Sequence, residues 1–197
     1  MTKLGQTPSQ TVGPYFSMCL FDPGQNVLVP PEATETRRIR VFGGVYDADR
    51  KAMDDALLEV WQADSEGVYR HPVDGRSGVR QGSPFSGFGR AVIEPQTLEY
   101  SFETMKPGRV PGPHGSPQAP HLSVIVQGRG ILRPLYTRAY FEDEAESNDG
   151  DLVLGTVPRE RRHSLVASLV SRDPIPAYRF DIHLKGPDET VFFDFEP

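Results

Sequence analysis

The side chains of this chain that could do metal chemistry are a phenol and several imidazoles. Tyr69 follows an apolar run at 57–62, and His121 opens another after a Pro/Gly-rich stretch at 106–120. Ferric iron prefers hard anionic oxygen donors together with imidazole, and a bound cation can deprotonate a phenol. Catalytic metal sites usually have three or more protein ligands. Tyr69 and His121 supply two, so the sequence predicts an incomplete metal site.

Two other histidines could complete such a site. His71 lies two residues after Tyr69 in a predicted loop, and His114 lies within the Pro/Gly-rich stretch. Nothing in the sequence fixes the direction of either side chain. A single-chain iron enzyme using Tyr69, His71, His114 and His121 is therefore one hypothesis.

Arg138 is a second candidate for chemistry. It lies on a predicted strand at 131–141 and could clamp a carboxylate through the planar donor fork of its guanidinium. An ion pair with Glu142, Asp143 or another acidic neighbour is the other interpretation, and the sequence alone favours it.

The elements that must position these residues are short strands. Runs of alternating apolar and polar residues, separated by Gly and Pro turns, predict an all-β fold: a β-sandwich of about eight short strands with long loops. The predicted strands are 39–46, 57–62, 89–93, 100–104, 121–127, 131–141, 177–184 and 191–195. Hairpin pairing is expected between 89–93 and 100–104 and between 121–127 and 131–141. One late helix is predicted over 158–170, with Pro158 in its first turn and leucines and valines at helical spacing.

The first 36 residues lack periodicity and predict an extended N-terminal arm. Apolar side chains such as Tyr15, Met18 and Leu20 give this arm more apolar surface than a solvated tail needs. We therefore expect residues 1–36 to pack against another surface rather than to form a mobile tail. No repeat or linker divides the remainder, so residues 1–197 are expected to form a single domain.

Composition argues against several partners and locations. The net charge is −6 and no block of Lys or Arg occurs, which argues against nucleic acid or an anionic membrane as a partner. The single cysteine, Cys19, and the lack of a long apolar run predict a soluble protein in a reducing, cytoplasmic compartment. No phosphate-binding glycine loop, HExxH, CxxC or GxSxG motif is present.

Longer phrases of the sequence resemble the intradiol ring-cleavage dioxygenases. The matching phrases are spread over nearly the whole chain: TPSQTVGPY, LLEVWQADSEGVYRH, SFETMKPGRVPG, APHLSV, LYTRAYFEDEAE and AYRFDIHLKG. Members of this family hold ferric iron with two tyrosines and two histidines. They cleave a catechol between its hydroxyl-bearing carbons and insert both atoms of O2.

The resemblance implies that part of the ligand set is missing here. By position, Tyr69 and His121 match the first tyrosine and the first histidine of the family. Val110 and Ser123 stand where the second tyrosine and second histidine should be. This departure implies a chain that is not itself the catalyst. It would assemble with a homologous partner that carries the Fe(III), in a larger oligomer of such pairs. The extended arm at 1–36 would then pack on the partner subunit.

The resemblance also implies a substrate pocket shared between the two chains. Thr11, Gly13, Pro14 and Tyr15 would line the pocket above the partner's iron, and Arg138 would favour an anionic substrate. The implied substrates are protocatechuate and O2, giving 3-carboxy-cis,cis-muconate in aromatic catabolism through the beta-ketoadipate pathway. A β-sandwich binding or interaction module without enzymatic activity is the remaining alternative.

Overall fold

Short strands account for most of the regular structure. The computed structural model describes residues 5–13, 15–30, 37–76 and 85–194. The strands are β1 Arg38–Gly43, β2 Val45–Tyr46, β3 Leu57–Trp61, β4 Phe88–Val92, β5 Tyr100–Met105, β6 Val110–Pro111, β7 Pro117–Gln118, β8 His121–Gln127, β9 Leu135–Phe141, β10 Val166–Ser171, β11 Ala177–Arg179 and β12 Ile182–His183. The helices are α1 Phe16–Leu20, α2 Ala145–Asp149 and α3 Leu152–Gly155, with 3-10 helices at Pro113–Gly115, Glu142–Glu144 and Arg159–Leu165. About 33% strand and 15% helix confirm the all-β prediction.

Eight strands form one main sheet in the order β4-β3-β8-β9-β10-β11-β1-β5. Its two edge strands, β4 and β5, are joined by the turn at 95–98, where Glu94 and Glu99 form an isolated bridge. The edges therefore adjoin and the sheet curls around its core into a nearly closed, sandwich-like arrangement. The predicted pairing of 89–93 with 100–104 is wrong beyond that bridge, because β4 pairs with β3 and β5 pairs with β1.

The two faces of β3, β8 and β9 have different roles. Leu122, Val124 and Val126 point inward from β8 into the core, and Ala139 of β9 is fully buried beside them. Because successive strand residues point to opposite faces, Ser123 and Ile125 lie on the other side of the sheet. We call this the outer face; it carries Trp61, Ser123 and Arg138, which are aligned across the three strands.

The predicted helix over 158–170 is largely wrong. A 3-10 helix covers Arg159–Leu165, and the chain then enters β10, which pairs with β9 in parallel and with β11 in antiparallel orientation. The leucines and valines that suggested helical spacing also fit a strand, and valine favours the extended state. Because β9 and β11 supply backbone hydrogen-bond partners on its two sides, residues 166–171 form a strand. The short helices α1 and α3 were not predicted.

The predicted strand at 177–184 is interrupted rather than continuous. Phe180 and Asp181 separate β11, in the main sheet, from β12, which pairs with β2. The Asp181 carboxylate accepts a hydrogen bond from the backbone N–H of Gly44 at the same point (2.9 Å). Tyr178, Phe180 and Ile182 remain buried, as the alternation predicts. Of the predicted strand at 191–195, the structure describes residues 191–194, and in these it has an isolated bridge between Tyr136 and Phe193.

Within the described ranges, none of the helices is both long enough and apolar enough to span a membrane.

Candidate functional site

A tight turn after β3 places Tyr69 beside the Pro/Gly-rich stretch. The Asp64 carboxylate accepts hydrogen bonds from the backbone N–H groups of Glu66 and Val68, and the Asp64 carbonyl accepts one from Gly108. Gly67 has a φ of +78°, and a Cβ there would lie 1.9 Å from the carbonyl oxygen of Arg109. Only glycine permits both the left-handed conformation and this close approach. The turn is therefore fixed against residues 108–109.

Tyr69 itself is held from two sides. Its ring stacks on Trp61 with centroids 5.9 Å apart, and its backbone N–H donates to the Asp74 carboxylate at 3.0 Å. Burial raises the pKa of the Tyr69 phenol, and the nearby positive charge of Arg138 works against that rise. The phenol is therefore protonated at neutral pH.

Val110 reaches the same region through the two-stranded β6–β7 ladder. It is 3% exposed and pairs with Gln118 across the ladder. The Gln118 side chain donates from Nε2 to the Pro111 carbonyl (3.0 Å) and accepts at Oε1 from the guanidinium of Arg138 (2.7 Å). An isopropyl group thus occupies the position where the family resemblance expects a metal-binding phenol, and it offers no donor atom.

His121 is buried at the start of β8. Its Nδ1 lies 2.7 Å from the Ala119 carbonyl oxygen, so Nδ1 donates and Nε2 carries the lone pair. The Asp151 carboxylate accepts hydrogen bonds from Ala119 N–H at 2.7 Å and from Leu154 N–H at 2.8 Å, which ties α3 to this segment. Burial first, and then the charge of Arg138, lower the pKa of His121 to about 4. The imidazole is neutral at pH 7.

Arg138 lies directly across the ladder from Ser123. Its Nη1 atom donates a hydrogen bond to Gln118 Oε1 and lies 3.4 Å from the Tyr140 hydroxyl. The interpretation of an ion pair with Glu142 or Asp143 is wrong. Glu142 accepts from the backbone N–H of Leu169, and Asp143 pairs with Lys106. Within the described part of the chain, no carboxylate forms a salt bridge with Arg138.

These positions, Tyr69, Val110, His121 and Ser123, together form what we call the donor-poor site. The family is iron-dependent, but the residues at this site do not fit a ferric ion. Only a phenol and one imidazole nitrogen are suitable donors, and the guanidinium of Arg138 acts electrostatically on both of them. A fixed positive charge beside a cation site opposes cation binding.

The two spare histidines both lie at the surface. His71 is exposed, and its Nδ1 accepts a hydrogen bond from the backbone N–H of Val73 (3.2 Å). His114 is also exposed, with a φ of +55° in the turn between β6 and β7. Among the residues that the structure describes, no three His, Cys, Asp or Glu side chains form a group that could hold a metal ion.

A cavity of about 300 Å³ lies on the outer face beside Ser123, and we call it the outer-face cavity. Strands β3, β4, β8 and β9 contribute its lining: Glu59, Val60, Trp61, Phe88, Ser123, Val124, Ile125, Tyr136, Thr137 and Arg138. A second depression shares Trp61 with this cavity and is also lined by Tyr69, His71, the loop at 73–76 and Pro111.

The N-terminal arm meets the sheet at a different place. The backbone N–H of Gly130 donates to the Thr11 hydroxyl at 2.9 Å, which anchors the arm at the turn between β8 and β9. Gly13 has a φ of +80°, and Tyr15 is 72% exposed at the start of α1. Pro14 lies outside the described residues. Four residues of β8 separate Ser123 from Gln127, or roughly 13 Å at about 3.3 Å per residue, so Thr11 and Arg138 approach opposite ends of the strand.

Three residues of this region were missed at the sequence level: Trp61, Gln118 and Tyr140. Trp61 and Tyr140 could have been found from strand register, because cross-strand partners of Ser123 and His121 share their face. Gln118 could not, since its role depends on the β6–β7 ladder.

Known proteins match both the sequence and the fold. Residues 12–186 match the family model described as Dioxygenase (Dioxygenase_C). The chain is 41% identical to the protocatechuate 3,4-dioxygenase alpha chain of Burkholderia cepacia, over 98% of this chain and all of that protein. It is 34% identical to the beta chain of the same enzyme from that organism, over 78% of this chain and 66% of that one.

Among solved structures, the fold resembles the dioxygenase domain of a dioxygenase carbohydrate-binding protein fusion from Streptomyces sp. SirexAA-E. The TM-score is 0.61 and the sequence identity 27%, over 92% of this chain and 99% of that domain. The family model, the near full-length similarity and the shared fold agree. The chain therefore belongs to the family of intradiol ring-cleaving dioxygenases.

Proposed function

We propose that this chain is the alpha-type, non-iron-binding subunit of a heteromeric protocatechuate 3,4-dioxygenase. The observation that carries the proposal is the composition of the donor-poor site. Val110 and Ser123 stand at two ligand positions, and Arg138 places a positive charge across the ladder from Ser123. A site with this composition offers too few donors to hold iron, so the proposal assigns the iron and its redox chemistry to a partner chain.

The partner in this proposal is a homologous beta-type chain that binds the Fe(III). Similarity to both an alpha chain and a beta chain of one enzyme supports a pair of related subunits. The reaction of the pair is cleavage of protocatechuate by O2 to 3-carboxy-cis,cis-muconate, a step of the beta-ketoadipate pathway. Neither nucleic acid nor a membrane takes part, and the complex is cytoplasmic.

The contribution of this chain is made through its N-terminal arm. Thr11, Gly13, Pro14 and Tyr15 line the substrate pocket above the partner's iron, where they exclude water and shape the cavity. Three features support this: the Thr11 anchor, the positive φ of Gly13 and the 72% exposure of Tyr15. A large aromatic side chain presented to solvent is suited to packing on another chain.

The assignment of Arg138 to that shared pocket stays a prediction. Its hydrogen bond to Gln118 and its place opposite Ser123 put it at the donor-poor site of this chain.

Co-expression with a candidate beta-type chain tests the proposal. We expect stoichiometric iron and ring cleavage in the complex and no stoichiometric iron in this chain purified alone. Iron bound by this chain alone, with a phenolate-to-iron absorption band, would support the single-chain hypothesis instead. A stable chain that joins no beta-type partner would support the binding-module hypothesis.

Tyr15→Ala tests the pocket role within the assembled complex. We expect kcat/KM to fall about tenfold or more, which corresponds to roughly 1.4 kcal/mol, while the iron content is unchanged. Tyr15→Phe is the matched control that separates the ring from the hydroxyl. Unaltered kinetics in Tyr15→Ala would reject the role.

A further inference from the structure

The lining of the outer-face cavity includes one charged residue, Arg138, that forms no salt bridge with any carboxylate that the structure describes. Arg138 is half-buried, and its described side-chain partners are the neutral Gln118 amide at 2.7 Å and the Tyr140 hydroxyl at 3.4 Å. The cavity has one other charged lining residue, Glu59, which pairs with Arg90 at 2.6 Å. Of the two charged residues in the lining, Arg138 is therefore the one for which the described residues supply no ion-pair partner.

The rest of the lining is flat and largely apolar. Trp61, Phe88 and Tyr136 supply aromatic rings, and Ile125 supplies an aliphatic floor between them. Phe88 and Tyr136 are 40% and 38% exposed, so these rings are accessible from solvent. Ser123 is small and lies directly across the ladder from Arg138, and its hydroxyl can donate one more hydrogen bond.

We infer that the outer-face cavity is a metal-free binding site for a small monocyclic aromatic carboxylate. Arg138 binds the carboxylate through its donor fork, and the ring lies against Trp61. An Arg–carboxylate pair matches two parallel N–H donors with two oxygens, and aromatic walls suit a planar ring. A volume of about 300 Å³ is at the small end of known ligand pockets, which favours a single ring.

The described lining residues of this site lie on β3, β4, β8 and β9 and not on the N-terminal arm, so binding here does not depend on the role proposed for the arm. Occupation of the site would be a binding event and not a catalytic one.

The only tryptophan of the chain provides a direct readout. Trp61 is that residue and it lines the cavity, so its fluorescence reports on a ring bound against it. Benzoate is added to the full-length chain at constant ionic strength. We expect a saturable change in emission with benzoate and no comparable change with benzamide, the neutral analogue of similar shape. An unchanged emission, or an equal response to benzamide, would overturn the inference.

Two variants locate the binding site. Arg138→Gln should weaken benzoate binding about tenfold or more, because charge-assisted hydrogen bonds are lost. Arg172→Gln removes the same charge from an exposed arginine elsewhere and should leave the affinity unchanged. Ser123→Phe keeps Arg138 but fills the cavity and should also abolish binding. Wild-type affinity in either cavity variant would overturn the inference, and circular dichroism checks that both variants fold.

Equilibrium dialysis extends the test to the complex with a beta-type partner. We expect one benzoate per copy of this chain beyond any bound at the iron, and one fewer in Arg138→Gln. If the variant and the wild-type complex bind the same number, a partner segment covers the cavity and the inference fails.

Discussion

At the scale of single residues, the guanidinium of Arg138 is the charge that acts on the donor-poor site, and Arg138 lies directly across the ladder from Ser123. Arg138 acts electrostatically on Tyr69, His121 and Tyr140, and burial together with that charge keeps His121 neutral. The Tyr140 phenol, which lies 3.4 Å from both Arg138 and Asp151, has a pKa raised by burial to about 12. The donor-poor site therefore lacks ligands and also contains a cation of its own.

Restoring the ligands should be insufficient while Arg138 remains. We predict that Val110→Tyr with Ser123→His binds ferric iron weakly or not at all, and that adding Arg138→Gln produces stoichiometric iron with a phenolate-to-iron absorption band. The physical reason is charge repulsion between the guanidinium and the ion. Metal analysis and visible spectroscopy measure the outcome. Arg138→Gln alone is the control, and equal iron content in the double and triple variants would contradict the prediction.

At the scale of elements, short polar connections hold the donor-poor site in place. One such connection is Lys106, at the end of β5, which pairs with Asp143 at 2.8 Å and Glu144 at 2.9 Å in the helix after β9. Its ammonium also lies 5.4 Å from the centroid of the Phe141 ring. Burial opposes the charge on Lys106, but the two carboxylates outweigh it and raise the pKa of the lysine. This ion-pair network fixes the start of the Pro/Gly-rich stretch to β9.

Lys106→Met should destabilise the chain by about 1–3 kcal/mol near neutral pH, because two partly buried carboxylates lose their cation. Burial alone would raise the pKa of Asp143, yet the hydrogen bond from Lys106 lowers it. A carboxyl pKa that is lowered in the folded state stabilises the fold at pH values above the unfolded pKa of about 3.9. This contribution is lost as the pH falls below that value and through the lowered pKa of the folded state. The difference between wild type and variant should therefore shrink towards about pH 3.

Urea unfolding at several pH values measures this difference. Lys185→Met removes an exposed lysine and should change the stability by less than about 0.5 kcal/mol. A difference for Lys106→Met that stays constant down to about pH 3 would contradict the mechanism.

At the scale of the whole molecule, one part of the N-terminal arm is buried in the core and another part is exposed to solvent. Leu28 and Val29 of the arm are buried in the core. In the segment around α1, Tyr15 and Met18 are 72% and 75% exposed. Two large apolar side chains presented together are costly in water and suited to an interface. This exposure agrees with the proposed packing of the arm on a partner.

Met18→Glu should weaken association with a beta-type partner about tenfold or more, because a charge would be desolvated at the interface. The stability of the isolated chain should be unchanged, since Met18 is exposed there. Sedimentation velocity and chemical unfolding measure the two quantities, with Met18→Leu as the size-matched control. Undiminished association of the Glu variant would place the interface elsewhere.

The sequence alone determined the all-β class and the bounds of β8, and it predicts a shortage of metal donors. Strict alternation fixes a strand whose one face is buried, and the prediction of 121–127 matches β8 residue for residue. The donor shortage is a matter of residue identity, because valine cannot ligate a metal in any fold. Membership of the family was also predicted from residue identity, through phrases such as LLEVWQADSEGVYRH.

Only the tertiary structure decided where residues distant in sequence meet. Residues 166–171 fit helix or strand by pattern, and β9 and β11 on either side made them a strand. Arg138 has acidic neighbours in sequence. In the fold, however, it donates a hydrogen bond to Gln118 of the β6–β7 ladder, and Asp143 forms its salt bridge with Lys106. Local pattern limits what one segment can form, whereas the partner of a backbone edge or of a charge is set by long-range packing that no local pattern encodes.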